Sequence, residues 1–268
     1  MWNSWKLQKA KVPFMLEINE IFGPTIQGEG KLVGTPSIFI RFGKCNFKCE
    51  GFQVEYETPS GIKKCACDSY YAVDTEFKDT WTKYKSYEEI VSEVNELLSN
   101  YPNNYKIDIV ITGGEPLLYW NKEEFQKLLK HYIDNGHKVT IETNASLNLN
   151  FEFDYQKEIL FSMSVKLSNS LEPLRKRVNK ETLTKILTNT KESYLKFVIG
   201  KDFLQDAKKE IIAILEDIPK CEVYLMPLGD TADEINKNCE DVINMAIENG
   251  FKYCDRLHIR VWNNKRGV

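Results

Sequence analysis

Along this chain the spacing of apolar positions switches repeatedly between a period near two and a period near 3.6, the signatures of strands and of amphipathic helices. Phe14 to Phe22 alternates as a strand does, and Ile21-Phe22-Gly23-Pro24 then predicts a turn. Ser37–Phe42 reads as the next strand. Ser86-Tyr87-Glu88-Glu89 has capping-box spacing and opens a predicted helix with Ile90, Val91, Val94, Leu97 and Leu98 as its apolar stripe. The β-branched run Ile107–Thr112 is a further strand. Asn121 is placed to cap the helix after it, with Phe125, Leu128, Leu129 and Ile133 on one face and Asn135-Gly136 as the stop. The alternation continues with strands at Lys138–Thr143, Ile159–Val165, Tyr194–Ile199 and Glu222–Met226, and with helices around Glu181–Leu187 and Ala207–Leu215. Thr231-Ala232-Asp233-Glu234 is a second capping-box spacing, before a helix that closes at Asn249-Gly250. A last strand is predicted over Arg256–Trp262, carrying His258.

Six βα-like units with no linker between them predict one parallel α/β domain over residues 1–268. Six units fall short of the eight of a complete TIM barrel, so a partial (β/α)6 barrel is the expected architecture. Residues 1–13, with Trp2 and Trp5, read as a short extension. Polar residues gather at the C-terminal ends of successive predicted strands: Cys45, Glu115, Glu142, Ser164 with Lys166, and the Met226-Pro227 end. In βα barrels that rim is where loops assemble active sites.

Composition narrows the possibilities. Hydrophobic residues at 42% and charged residues at 28% are ordinary globular values. A net charge of −3 and a pI near 5.8 give no basic footprint for direct nucleic-acid binding, which points to a small-molecule substrate. No apolar run approaches the ~20 residues of a membrane helix. Met1–Lys6 lacks the apolar core of a secretory signal, and seven cysteines then predict reduced thiols in a cytoplasmic setting.

Four of those cysteines carry the candidate chemistry. Cys45, Cys49, Cys65 and Cys67 fall within 23 positions, and no histidine lies among them. Clustered thiolates select zinc, copper(I) or iron–sulfur clusters. Cys45 and Cys49 have the spacing of a ligand pair, whereas the single residue between Cys65 and Cys67 points their sulfurs apart in an extended chain. Three ligands and one spare cysteine therefore fit better than four, and a [4Fe–4S] cluster on three thiolates keeps one iron open for chemistry. Cys221, Cys239 and Cys254 are expected in the core.

Cys45-x3-Cys49, the later Cys67-Asp68-Ser69, and Gly113-Gly114-Glu115-Pro116 resemble the radical SAM superfamily. Gln27-Gly28-Glu29-Gly30 and Arg41, four residues before Cys45, make the chain similar to the 7-carboxy-7-deazaguanine synthase family of the queuosine-type 7-deazapurine pathway. The family's third cysteine commonly follows the second after two residues and precedes Asp-Thr. Here 17 residues intervene, with an inserted segment around 50–64 inside the cluster loop 41–69, and Ser69 replaces Thr. The resemblance implies a carbon–nitrogen lyase. In it the reduced cluster cleaves S-adenosylmethionine, the resulting radical takes hydrogen from C6 of 6-carboxy-5,6,7,8-tetrahydropterin, and ring contraction expels ammonia. It also implies a homodimer and an electron donor such as flavodoxin or ferredoxin.

By the same resemblance Cys45 and Cys67, whose flanks Asn46 and Asp68-Ser69 match the family's, hold the cluster, with Cys49 the expected third ligand from its spacing and Cys65 its alternative. The loop Gly113, Gly114 and Glu115 would hold the methionyl amine of S-adenosylmethionine, and Glu142, Ser164 and Lys166 would meet its ribose and carboxylate. Gln27, Glu29, Arg41 and His258 would hold the substrate: Glu29 as acceptor for the pterin's paired donors, Arg41 as clamp for its carboxylate. The Ser69 hydroxyl would bind a magnesium ion. Two rivals share parts of the pattern. A glycyl-radical activating enzyme has the cysteine spacing and a Gly-Gly-Glu-Pro-like loop but no need of Gln27-Gly28-Glu29-Gly30, and a zinc-stapled binding module would use all four cysteines.

Overall fold

A computed structural model describes residues 15–102 and 104–268 of the chain. The extension at 1–13, and Phe14 of the first expected strand, lie outside the described residues.

The first strand, β1 (Leu16–Ile26), runs further than its pattern predicts. It passes through Gly23-Pro24 where a turn was expected, and its antiparallel pairing with β2 (Pro36–Phe42) slips between Phe22 and Thr25. Proline has no N–H for a ladder, so a strand accommodates it at such an irregularity or on an edge. After β2 come a small separate hairpin of β3 (Val54–Glu57) and β4 (Lys63–Ala66), a helical turn α1 (Tyr70–Val73), β5 (Thr82–Tyr84) and helix α2 (Tyr87–Leu97). Then follow β6 (Asp108–Gly113), α3 (Glu123–Asp134), β7 (Lys138–Thr143), β8 (Leu160–Met163), α4 (Leu174–Arg177) and α5 (Lys180–Asn189). The chain finishes with β9 (Tyr194–Ile199), α6 (Leu204–Leu215), β10 (Glu222–Pro227), α7 (Ala232–Asn249), β11 (Lys252–Tyr253) and α8 (Leu257–Trp262).

Among the described residues nine strands form one sheet in the order β11-β10-β9-β8-β7-β6-β2-β1-β5. From β2 to β11 every neighbouring pair is parallel, and the antiparallel pairings are those of β1, with β2 and with β5, at one end. β2 and β6 to β10 are the six strands of the expected βα units, and the order ends on β11 and β5 without closing. Strands covered on both faces read as continuous apolar runs, which is how Ile109, Val110 and Ile111 of β6 come to be fully buried. Phe125, Leu128 and Leu129 of α3 and Ile90 and Val94 of α2 pack into the same core.

Local details differ from the sequence pattern. Residues 257–262 are helix, not strand: apolar residues at 257, 259, 261 and 262 satisfy either period over so short a span, and the exposed Val261 beside buried Ile259 follows the helix. Lys122, not Asn121, occupies the cap position of α3. Ser86 and Thr231 do sit at their helix N-caps, but Glu89 and Glu234 reach one residue further back than a capping box requires, accepting from the N–H groups of Lys85 and Asp230 at 3.0 Å each. The inserted segment around 50–64 contributes to the β3–β4 hairpin, with Val54 opposite Ala66 and Glu57 opposite Lys63.

Candidate active site

The parallel strands end on a common rim around a cavity of about 980 Å3. Cys45, Cys49 and Cys67 line it together, while Cys65 is exposed on β4, opposite Glu55. The loop is wound to do this by left-handed backbone at Lys44 (φ 72°) and Cys49 (φ 52°). The Glu172 carboxylate, just before α4, accepts from the N–H groups of Lys48 at 2.6 Å and Cys49 at 3.2 Å and pins the loop. Asn46 donates to Ser146 Oγ at 2.8 Å and accepts from Asn144 Nδ2 at 2.9 Å, tying the loop to the end of β7. Burial pushes the Cys45 thiol well above its ordinary value, that of Cys67 up to about 12 and that of Cys49 up to about 11. Such buried thiols need a metal's charge to become thiolates. Among the described residues no three Cys, His, Asp or Glu side chains close on a single ion. A cuboidal cluster asks each thiol to meet a different iron, so three cysteines spread around a cavity fit it better than they fit zinc.

Gly113, Gly114, Glu142, Ser164 and Lys166 line the adjoining wall, with Thr143 and Asn144. The glycines are required by contact: a Cβ on Gly114 would lie 1.9 Å from the Lys44 carbonyl oxygen, and Gly113 has φ +127°. Their loop docks on the start of the cluster loop, with the Glu115 N–H donating to Lys44 O at 2.8 Å. Glu115 itself differs from expectation, because its side chain is fully buried and is not among the cavity's lining groups. Its carboxylate accepts from Leu117 N at 3.0 Å, Thr143 Oγ1 at 2.6 Å and Asn144 N at 2.7 Å. Burial raises the carboxyl and these three bonds oppose the rise. Glu115 therefore fixes the glycine loop to β7. Lys166 Nζ donates to Ser164 Oγ at 3.0 Å and lies 5.6 Å from the Phe52 ring centre, so the region between Cys49 and β3 closes over that wall.

Gln27, Glu29, Arg41, Ser69 and His258 line the same cavity. Gln27 Nε2 donates to Glu142 at 3.3 Å, and Thr112 Oγ1 donates to the other oxygen of Glu142 at 2.8 Å. Two residues assigned to different ligands by resemblance thus touch each other. Glu29 is set in a row of charges that the sequence did not reveal: Lys196 Nζ lies 2.5 Å from one carboxylate oxygen, and Arg256 Nε lies 2.9 Å from the other. Burial alone would raise the Glu29 carboxyl, but the Lys196 and Arg256 charges outweigh it and hold it far below the usual carboxylate range. Burial opposes the charge on Lys196 in turn, and Glu29 overrides it. A carboxylate oxygen accepts two bonds, so each oxygen of Glu29 keeps one place for a ligand donor.

Arg41 donates from Nε to Glu20 at 2.7 Å and from a terminal nitrogen to Ser69 Oγ at 3.4 Å. A carboxylate clamp would use its terminal nitrogens, since Nε is taken. Ser69 Oγ donates to Asp68 at 3.2 Å. His258, on α8, is 4.0 Å from Glu29, and burial lowers its pKa more than Glu29 raises it. A Cβ on Gly28 would fall 2.0 Å from the His258 ring, which explains one glycine of Gln27-Gly28-Glu29-Gly30. The three remaining cysteines divide: Cys254 is buried and accepts from the Gly30 N–H at 2.7 Å, Cys221 is half-buried and packs against the main core, and Cys239 is half-buried on α7.

Sequence reasoning missed Lys196, Arg256, Thr112 and Asn144. Lys196 had a signal, a lone lysine inside the apolar run Tyr194–Ile199. Arg256 had none, because its segment was read as strand.

Residues 26–187 match a family described as a 4Fe-4S single cluster domain. The chain is 30% identical over 272 residues to the 7-carboxy-7-deazaguanine synthase of Halobacterium salinarum, covering 93% of this chain and 91% of that protein. It is 30% identical over 246 residues to the synthase of the same name from Rickettsia prowazekii, covering 91% and 86%. The crystal structure of QueE from Escherichia coli has the same fold, with a TM-score of 0.59 at 22% identity over 91% of this chain and 95% of that one.

Proposed function

The chain belongs to the 7-carboxy-7-deazaguanine synthase family of radical SAM proteins, and from that premise we propose how its own residues carry out the reaction. The protein is a lyase that forms 7-carboxy-7-deazaguanine, here from 6-carboxy-5,6,7,8-tetrahydropterin with loss of ammonia. The observation that carries the residue assignment is the single cavity shared by Cys45, Cys49 and Cys67 with Glu29 and Arg41. When bound, a [4Fe–4S] cluster and S-adenosylmethionine supply the radical chemistry, and the protein supplies placement and exclusion of water.

In this reading the three thiols hold the cluster. Backbone carbonyls of the Gly113-Gly114 loop, bared by the absence of side chains, receive the methionyl ammonium, and Glu142, Ser164 and Lys166 take the ribose and carboxylate. Glu29, kept ionised by Lys196 and Arg256, accepts the paired ring N–H and amino donors of the pterin. Gln27 orients Glu142 from the substrate side, and Arg41 grips the substrate carboxylate with its terminal nitrogens. His258 covers the site next to Glu29. Ser69 offers the hydroxyl for a magnesium ion, which must displace the 3.4 Å Arg41 contact or be shielded from it by the substrate's charge. An outside one-electron donor of flavodoxin or ferredoxin type, a homodimer, one domain and a cytoplasmic setting belong to the same reading.

The deciding test is anaerobic turnover of reconstituted protein with S-adenosylmethionine, reductant and 6-carboxytetrahydropterin, with the product followed by mass. Release of ammonia together with 7-carboxy-7-deazaguanine is expected. Consumption of S-adenosylmethionine without any deazapurine would sink the substrate assignment.

A further inference from the structure

Arg256 makes contacts that none of its neighbours can replace. Its guanidinium donates from Nε to Glu29 at 2.9 Å, from one terminal nitrogen to Asp68 at 2.6 Å and from the other to the Gly229 carbonyl at 2.6 Å. Glu29 belongs to the substrate loop, Asp68 directly follows the cluster cysteine Cys67, and Gly229 follows β10. One side chain, 11% exposed, therefore joins both halves of the site to the barrel rim. Its neighbours on each side are tied to the same loop: Cys254 Sγ accepts from Gly30 N, and Leu257 N donates to Gly28 O at 2.8 Å.

We propose that Arg256 is a positioning residue that holds the substrate-binding carboxylate of Glu29 in register with the cluster loop through Asp68. The inference rests on the functional reading above and deepens it. A planar guanidinium presents donors in three fixed directions, and two carboxylates with one carbonyl occupy all three. An ammonium is a point charge on a flexible stem and cannot span the same three acceptors. The consequence is a coupling role: with the register kept, radical formed at the cofactor is spent on substrate, and with it lost, S-adenosylmethionine is cleaved without product.

The test compares wild type, Arg256→Lys, Asp68→Asn and the double variant. Asp68→Asn removes the charge from the cluster-side grip, leaves one amide oxygen where two carboxylate oxygens served Arg256 and Ser69, and keeps Glu29 held by Lys196 and Arg256. In reconstituted protein, Arg256→Lys is expected to keep wild-type iron content, raise the KM for the carboxypterin at least tenfold and raise the ratio of 5′-deoxyadenosine to product at least fivefold. Asp68→Asn should raise that ratio with KM within twofold of wild type, and the double variant should be no worse than Arg256→Lys. In metal-free protein, amide exchange at residues 27–30 and 67–69 should quicken together at least tenfold in Arg256→Lys, and at 67–69 alone in Asp68→Asn. Wild-type KM and product ratio in Arg256→Lys, or unchanged exchange in either loop of that variant, overturns the proposal. Strict additivity of the two substitutions does so as well. If wild type makes no deazapurine, the functional reading fails, and the exchange measurements still decide whether Arg256 bridges the loops.

Discussion

Replacing Glu29 by glutamine tests the charge row directly. Glutamine keeps the shape and one carbonyl oxygen, so it can serve only one of the two cations that now grip the carboxylate. Arg256 retains Asp68 and the Gly229 carbonyl, whereas among the described residues Glu29 is the carboxylate that Lys196 pairs with, and the Lys196 side chain is only 5% exposed. Removing one partner of a buried ion pair costs about 3–5 kcal/mol, because the other charge stays desolvated. For a chain of this size that is a fall on the order of 10 °C in the melting temperature of the metal-free protein. The same change sets an amide donor against the pterin's own donors, which costs about 2–3 kcal/mol, or roughly a hundredfold in kcat/KM. The two effects are separable. Adding Lys196→Met to Glu29→Gln removes the stranded charge, so most of the melting temperature should return while turnover stays low. Circular dichroism melts of apoprotein beside anaerobic kinetics read both quantities. A single variant melting within 2 °C of wild type, or a double variant no more stable than the single, would refute the argument that Glu29 and Lys196 compensate each other in a desolvated site.

Cys65→Ala should load iron as wild type does, whereas Cys45→Ala, Cys49→Ala or Cys67→Ala should each prevent stable loading; iron and sulfide analysis decides, and the opposite behaviour of Cys49 and Cys65 would reassign the ligands. Gly114→Ala should also lower iron content, because its methyl would drive into the Lys44 carbonyl next to Cys45, and full iron loading would show that the loop can yield. Burial raises the Asp108 carboxyl to about 7 from an ordinary value near 3.8, against the opposing Thr140 hydrogen bond. A carboxyl raised on folding contributes stability that is complete below about pH 4 and lost as pH rises through 7. Asp108→Asn should therefore gain on wild type as pH rises from about 4 to about 7 and hold that gain above 7, by at most about 4 kcal/mol in denaturant titrations of apoprotein; a pH-independent difference would contradict the shift.

The strands of the barrel were legible because each is a short apolar run bounded by turn residues, and Lys138–Thr143 and Tyr194–Ile199 agree with the pattern residue for residue. The rim was legible for the same reason, since polar residues after apolar runs mark strand ends. The pattern failed where two periods fit equally, as at 257–262, and where a strand absorbs its breaker, as at Pro24. In the site, residue types showed which groups could do chemistry but not which way they face. Glu115 has the chemistry of an ammonium ligand, yet three nearby donors turn it inward. Glu29 looked like a free acceptor because its cations lie 167 and 227 positions away, beyond any local pattern.

The docking of residues 254–258 on the Gln27–Gly30 loop also orders the birth of the site in time. These contacts close loops of more than 220 residues, and the free energy of closure is recovered only once both ends exist. On the ribosome, the segment from 41 to 69 and the strands that cradle it emerge long before Arg256. A nascent chain can therefore complete the cysteine pocket and the glycine loop while Glu29 still faces Lys196 alone. The substrate half is finished only when the final turns are released, so a chain cut short near residue 250 keeps the metal-binding half and lacks the means to aim it.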